Sequence, residues 1–375
     1  MPSLVSVDGA GAERQGCRTR SATQGVALGW FAGPRCGPRL FVLAALAVLL
    51  RPAAAQRAVC FRSGAENLVA VAADGYLHLA AGADLAARPD VAAPGVHWLT
   101  SGPGGRDLFG LRGDRVLRLD LAGSAWETLA ELPQPALEAI AAPDGSPALV
   151  VLSGWPGDPV ARDGHVWRLP LAAGSKPLRL GAVQDGFRPW RLWPSRDGDE
   201  PRFVVATYKA TRFWPVEHRC MFVFSLRGET CAPAWLGSRL SRPYIAAAHA
   251  DLRGDGRWRM ISIEETEAGA RVVSVYAPIG FGYEGEWCSE PLPGVEEVTA
   301  FGATVLLWGH DGEGRPLAWR LLRDGDGYRL AAVADAPPEP AQVTLRGGEL
   351  VGWLAGNWRR WPLLGARAPS PAIAP

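Results

Sequence analysis

With 375 residues, 48% hydrophobic and only 21% charged, the chain can bury a large core and does not have the composition of a disordered one. Its 45 glycines, 32 prolines and 16 tryptophans disfavour a helical protein and suit half-buried strands separated by tight turns. The formal net charge is only +1, and with Lys176 and Lys209 as the only lysines the arginine excess reads as genome composition rather than a phosphate-binding surface.

Residues 1–55 stand apart from the fold. Residues 40–50, LFVLAALAVLL, form an 11-residue apolar run preceded by Arg35 and Arg39 and followed by Arg51, Pro52 and Ala53-Ala54-Ala55. A positive flank, a short apolar run and a small-residue cleavage site read as a secretory signal peptide cut after Ala55, with a signal anchor as the alternative. The mature chain is therefore expected to be periplasmic or extracellular, with no transmembrane span. Arg57-Ala58-Val59 lacks the small residue that lipidation of Cys60 would need. Taking the six arginines, Asp8 and Glu13 of 1–55 away from 39 basic and 38 acidic residues leaves a net charge of −3. That charge offers no field for nucleic acid and no polybasic stretch for a membrane surface.

From 56 onward, seven strand clusters punctuated by turns follow one another: 68–80, 96–121, 139–171, 189–225, 243–277, 298–322 and 343–363. Asp114–Asp120 with Leu121 and His165–Leu171 each place apolar residues on one face, and Asp74-Gly75, Arg227-Gly228 and Asp311-Gly312 mark turns. A mean spacing of about 45 residues matches four-stranded propeller blades. The expected fold is all-β, a single seven-bladed β-propeller over 56–375 with an irregular tail at 364–375. A pair of β-sandwiches fits the same signals less economically. Ring closure is expected between the start, near 68–71, and the last cluster, near 349–358.

Four cysteines remain after cleavage: Cys60, Cys220, Cys231 and Cys288. Export permits two disulfides, and three connectivities stay open. Cys220 and Cys231 flank a hairpin turning near Arg227-Gly228, but are not directly opposite, so a bridge there needs a bulge. No CxxC or HxxxH spacing points to a redox or zinc site.

The most distinctive segment is 249–263, HADLRGDGRWRMISI, an acidic glycine-rich turn feeding an apolar strand. A weaker copy lies upstream at 195–205, SRDGDEPRFVV, and Arg188-Pro189-Trp190 and Arg242-Pro243-Tyr244 recur 54 residues apart. The segment resembles the FG-GAP and VCBS repeats of integrin-like and bacterial secreted propellers, in which DxDxDGxxD wraps a calcium ion. The resemblance covers roughly 187–283. It implies Asp251 and Asp255 as ligands of a degenerate calcium site, but Arg253 and Arg259 occupy the third and ninth positions, where the family carries acids. Two carboxylates flanked by two guanidinium groups suit calcium poorly. A salt-bridged turn without a bound metal is expected, with the arginines in the cation's role.

No GxSxG or phosphate-loop motif occurs. Glu264 and Glu265 follow one another on a strand and so point to opposite sides, which reads as a solvated strand end. Lys209, Arg212, His218, Arg239, Arg242 and Tyr244 concentrate on the two best-matched blades among Tyr208, Trp214 and Trp235 and form the candidate ligand site, with Arg219 beside them. The expected function is an exported, non-catalytic propeller that binds a partner protein or a carbohydrate surface polymer through one face, with no cofactor. The alternative is a polysaccharide hydrolase or lyase using acids such as Glu264 and Asp255 in the central channel.

Overall fold

The structure, a computed structural model, describes residues 56–363 except 158, 182–186, 212–213, 238–239, 241, 281 and 339. The expected signal peptide and the tail 364–375 lie outside the described residues. Short apolar runs broken by glycine-bearing pairs cannot continue as long strands, so each run folds back on its neighbour. At Asp74-Gly75 both residues adopt positive φ, 53° and 80°, which is what a two-residue turn between right-twisted strands requires, and Ala73 pairs with Tyr76 across it. Repeating this operation produces seven antiparallel sheets: 58–92, 98–131, 136–179, 189–235, 244–288, 295–332 and 343–362, here numbered blades 1 to 7. The first six have four strands and the last has three. The protein is a seven-bladed β-propeller, and the described residues contain no α-helix, only two single 3-10 turns. None of the described residues forms a helix long and apolar enough to cross a membrane.

Within a blade the composition follows position. The second strand is covered on both sides, so it reads as a continuous apolar run: in Ala148–Trp155, ALVVLSGW, only Trp155 is exposed. The fourth strand faces water and carries the charges and prolines that discourage pairing with another chain, as in Ala86–Ala92, AARPDVA, where only Val91 is buried.

Each pair of neighbouring blades shares one apolar cluster, seven clusters for seven interfaces. Phe203, Phe222 and Phe224 meet Val150 and Leu152 between blades 3 and 4, and Ile261 and Ile263 meet Val305 and Leu307 between blades 5 and 6. Between blades 7 and 1, Val351, Trp353 and Trp358 meet Ala58, Val69, Val71 and Ala80. The residues expected to close the ring do meet here, but they pack side chain to side chain rather than pairing as strands. All four strands of blade 1 and all three of blade 7 come from consecutive sequence. The hydrogen bonds across this seam among the described residues are few: Arg57 N–H donates to the Ala341 carbonyl at 2.9 Å, Cys60 Sγ to that of Leu345 at 3.4 Å, Arg346 to that of Asn67 at 3.2 Å, and Arg360 to that of Ala83.

The turns between first and second strands gather on one face. There Arg196 donates to the Pro143 carbonyl of blade 3, Arg257 of blade 5 reaches Asp197 of blade 4 at 3.1 Å, and the backbones of Arg62 and Arg106 form a parallel bridge between blades 1 and 2. The turns between second and third strands point to the opposite face.

No disulfide joins any two of Cys60, Cys220, Cys231 and Cys288. Cys231 lies opposite Leu226, whereas Cys220 lies six residues further along the same strand and pairs with Thr207. That offset, about 20 Å along a strand, is too long for a disulfide.

Because the seam depends on side-chain packing, Trp353, which stacks on His78 at 4.1 Å and meets Trp358 edge-on at 5.5 Å, is expected to be its weak point. Trp353→Ala should cost about 3 kcal/mol, and hydrogen exchange should speed up in blades 1 and 7 ahead of blades 3 to 5.

Candidate functional site

The glycine-rich turn before strand Arg259–Glu265 is held by its own charges. Gly254 and Gly256 sit at φ of 67° and 75°, closed to most side chains. The loop thereby curls back so that the Asp251 carboxylate accepts the N–H groups of Asp255 at 3.1 Å and Gly256 at 3.0 Å. Asp255 accepts a hydrogen bond from the Arg259 guanidinium, which holds its carboxyl below the usual range, and another from the Arg257 N–H. Arg253 reaches Glu286 at 3.4 Å, Tyr328 Oη at 3.3 Å and the Asp326 carbonyl at 3.2 Å, tying blade 5 to blade 6. In the upstream copy Asp197 pairs with Arg202 at 3.0 Å as well as with Arg257. Both arginines at the unexpected positions of the turn thus neutralise carboxylates, and Arg253 also straps blade 5 to blade 6. Among the described residues no three His, Cys, Asp or Glu side chains gather as a metal site.

Glu264 differs from the expected solvated strand end. It is fully buried and accepts hydrogen bonds from Tyr276 Oη at 2.6 Å, Ser262 Oγ at 2.9 Å and Ser274 Oγ at 3.0 Å, with Arg242 at 3.4 Å. It lies on the second strand of blade 5, behind the channel wall. Glu265, next along the strand, is exposed.

The residues proposed from sequence for ligand binding are divided by the blade that carries them. Lys209 and His218 face each other across the hairpin of blade 4, where the Lys209 ammonium sits 4.8 Å from the Phe222 ring on the side toward blade 3. Arg219, one residue on, points the other way, covering Trp190 at 5.0 Å and donating to the Ile245 carbonyl of blade 5. Arg242 is engaged with Glu264 and approaches Cys288 Sγ at 3.8 Å. Tyr244 is buried in the interface of blades 4 and 5, and its hydroxyl makes no hydrogen bond to the protein. Arg212 and Arg239 lie outside the described residues.

A second concentration of polar groups lines the central channel, a cavity of about 490 Å³ bordered by the first strand of every blade. Those strands are Ala58–Ser63, Trp98–Ser101, Ala136–Ala141, Pro189–Asp197, Tyr244–Ala250, Val295–Phe301 and Val343–Arg346. Glu138, Arg191, Ala246 and Glu297 hold the same place in four of them, just past the register shift near the strand's start, and form one layer. Within it Arg191 reaches Glu138 at 3.1 Å through Nη1 and Glu297 at 3.6 Å through Nη2. Glu138 also accepts the Leu192 N–H at 2.6 Å. Burial pushes its carboxyl up to about 7, although Arg191 opposes the shift. Trp98, Trp193 and Trp258 border the same cavity. His249, also on its wall, packs between Trp193 and Tyr283 with ring centroids at 5.6 and 6.2 Å, and neither ring nitrogen hydrogen-bonds to the protein. Burial lowers its pKa to about 3.

This constellation was not found from sequence. Its signal is a charged residue at the same place in three otherwise apolar strands, ALEAIA, PWRLW and VEEVTAF, and it becomes visible only once the strands are aligned as repeats.

No family model and no curated protein matches the sequence. Among solved structures, a chain of "Crystal Structure of Mitotic Checkpoint Complex" superposes with a TM-score of 0.52 at 12% identity, covering 91% of this chain and 99% of that one. A chain of Kuenenia stuttgartiensis hydrazine synthase gives 0.56 at 11% identity over 84% of this chain and 97% of that one. These likenesses concern the fold alone.

Glu138 and His249 give stability opposite pH dependences. A carboxyl at about 7 in the folded chain against an ordinary 4.5 retains its proton longer when folded, so its contribution falls as pH rises from about 4.5 to 7. An imidazole at about 3 against 6.5 stays neutral when folded, so its contribution falls as pH drops from about 6.5 to 3. Each slope reaches about 1.4 kcal/mol per pH unit, and between pH 4.5 and 6.5 they oppose each other. Urea unfolding at pH 5 and 6.5 should show stability rising with pH in Glu138→Gln and falling with pH in His249→Phe, relative to the parent protein.

Proposed function

We propose that the protein is an exported, non-catalytic binding propeller that takes a carbohydrate surface polymer at the channel mouth beside the Lys209–His218 hairpin. The observation that carries this reading is the polar layer of Glu138, Arg191 and Glu297 in a cavity that Trp193 and Trp258 also border. Carboxyl and guanidinium groups offer acceptors and paired donors to hydroxyls, and indole faces suit the apolar faces of sugar rings. The third residue of a first strand lies near the end at which the second strand hands over to the third, so the layer and the hairpin belong to the same face of the ring. The acids first considered for catalysis have internal partners: Glu264 is enclosed by four donors, and Asp255 is held by Arg259.

Titration calorimetry against a panel of soluble oligosaccharides tests the reading. Binding by the parent protein, weakened at least tenfold in Glu297→Gln and in Lys209→Ala, is expected. Unchanged binding in both variants, or no oligosaccharide bound at all, would overturn it.

A polysaccharide hydrolase or lyase is the second reading, now centred on Glu138 and Glu297. Two carboxyl groups reaching one guanidinium lie no more than about 10 Å apart, within the range of paired acids that act on a glycosidic bond. The carboxyl of Glu138, raised to about 7, suits a proton donor near neutrality. Release of reducing ends by the parent protein and its loss in Glu138→Gln would favour this reading over binding alone.

The resemblance of 187–283 to FG-GAP and VCBS repeats belongs to the same proposal, with arginine in place of calcium in the turn. A chelator is accordingly expected to leave the melting temperature unchanged, whereas Arg253→Gln should lower it.

A further inference from the structure

Where the ring closes, the first-to-second turns of blades 7, 1 and 2 enclose a pocket of about 470 Å³, on the face away from the Lys209–His218 hairpin. Arg62 and Arg346 line it from opposite sides of the seam, and Asn67 lies between them. Arg346 donates through Nη2 to the Asn67 carbonyl at 3.2 Å, and Arg62 through Nε to Asn67 Oδ1 at 3.4 Å. One asparagine thus aims two guanidinium groups at the same space. The Nη1 of Arg346 is buried and makes no hydrogen bond to the protein. Neither arginine pairs with a carboxylate among the described residues, and neither does Arg106, whose backbone is bridged to that of Arg62. The nearby acids are engaged elsewhere: Asp107 by Arg118 at 3.3 Å, Glu66 by Arg88 and Glu349 by Arg360. Gly104, Gly105 and Gly347, at φ of 68°, 72° and 57°, border the pocket without side chains, so the approach to the guanidinium groups stays open.

Positive charge without a counter-charge and a buried donor without a partner are both disfavoured. An oxyanion removes both penalties, because a guanidinium presents two parallel N–H groups to a phosphate or carboxylate. We propose that this seam pocket binds a small polyanion carrying at least two phosphoryl or carboxyl groups, one on Arg62 and one on Arg346. Such a ligand spans blades 1 and 7, which share no strand, and it therefore clamps the ring at its weakest interface. The proposal is independent of the channel reading and rests on none of Glu138, Arg191 and Glu297, although Cys60 and Leu345 border both cavities.

The test uses the full chain with pyrophosphate and citrate as probes, at ionic strength held constant with potassium chloride. Calorimetry should show saturable binding of at least one probe, with a melting temperature that rises in step with site occupancy. A response to pyrophosphate alone assigns the site to phosphoryl groups, and a response to both assigns it to oxyanions generally. Arg62→Gln and Arg346→Gln should each weaken binding at least tenfold, while Arg323→Gln in blade 6 leaves it unchanged. Arg62 is exposed, so its variant carries the test if Arg346→Gln does not fold. No heat of binding from either probe, a thermal shift equal to that of potassium chloride, or unaltered affinity in Arg62→Gln would overturn the proposal.

Discussion

Every blade of this protein has two apolar faces to cover, and only a closed ring covers both faces of all seven. A twisted four-stranded sheet whose second strand is apolar on both sides cannot stand at the end of an open stack without exposing that strand. The seven clusters, one per interface, show this condition met all the way round. Here the condition is met without a strand shared between the chain's two ends. Blades 7 and 1 join through Val351, Trp353 and Trp358 against Val69 and Val71, so the ring is sealed by hydrophobic contact rather than by a sheet. The ladder hydrogen bonds of every blade are local in sequence, and the first strands are linked to the last by packing and a few isolated hydrogen bonds.

Charge is handled in different ways on the two faces and in the channel. On the face carrying the first-to-second turns, carboxylates are turned toward arginines from the same or the next blade. Arg257 pairs with Asp197, Arg259 with Asp255 and Arg253 with Glu286, and Arg253 also donates to the Asp326 backbone carbonyl. Guanidinium groups supply directional donors, so these contacts fix the relative rotation of neighbouring blades as well as neutralising charge. In the channel, one arginine serves two acids, and burial leaves Glu138 titrating near neutrality. At the seam, by contrast, Arg62 and Arg346 meet an asparagine rather than an acid.

Much of the fold is legible in the sequence, because a propeller repeats one local pattern. The seven apolar clusters correspond to the seven blades, and the turn at Arg227-Gly228 falls where Arg227 pairs with Thr230. What the clusters miss are edge strands: 68–80 covers the two middle strands of blade 1 but neither Ala58–Ser63 nor Ala86–Ala92. The first of these faces the channel and the last faces water, so neither shows a clean apolar run. Glu264 was misread for a related reason. Alternation places it and Glu265 on opposite sides of the strand, but it does not show that one side is closed by Tyr276, Ser262 and Ser274.

The sequence by itself determined the inner strands, the turns and the number of blades, since each of these depends on residues close together along the chain. Only the tertiary structure decided how the ring closes, which acids meet Arg191, and why Lys209 and Arg219 are separated although they lie on one hairpin. Glu138, Arg191 and Glu297 come from blades 3, 4 and 6, and Arg62 and Arg346 from opposite ends of the fold. Their chemistry exists only after seven sheets have packed face to face, because that packing alone brings such distant positions within reach of a hydrogen bond.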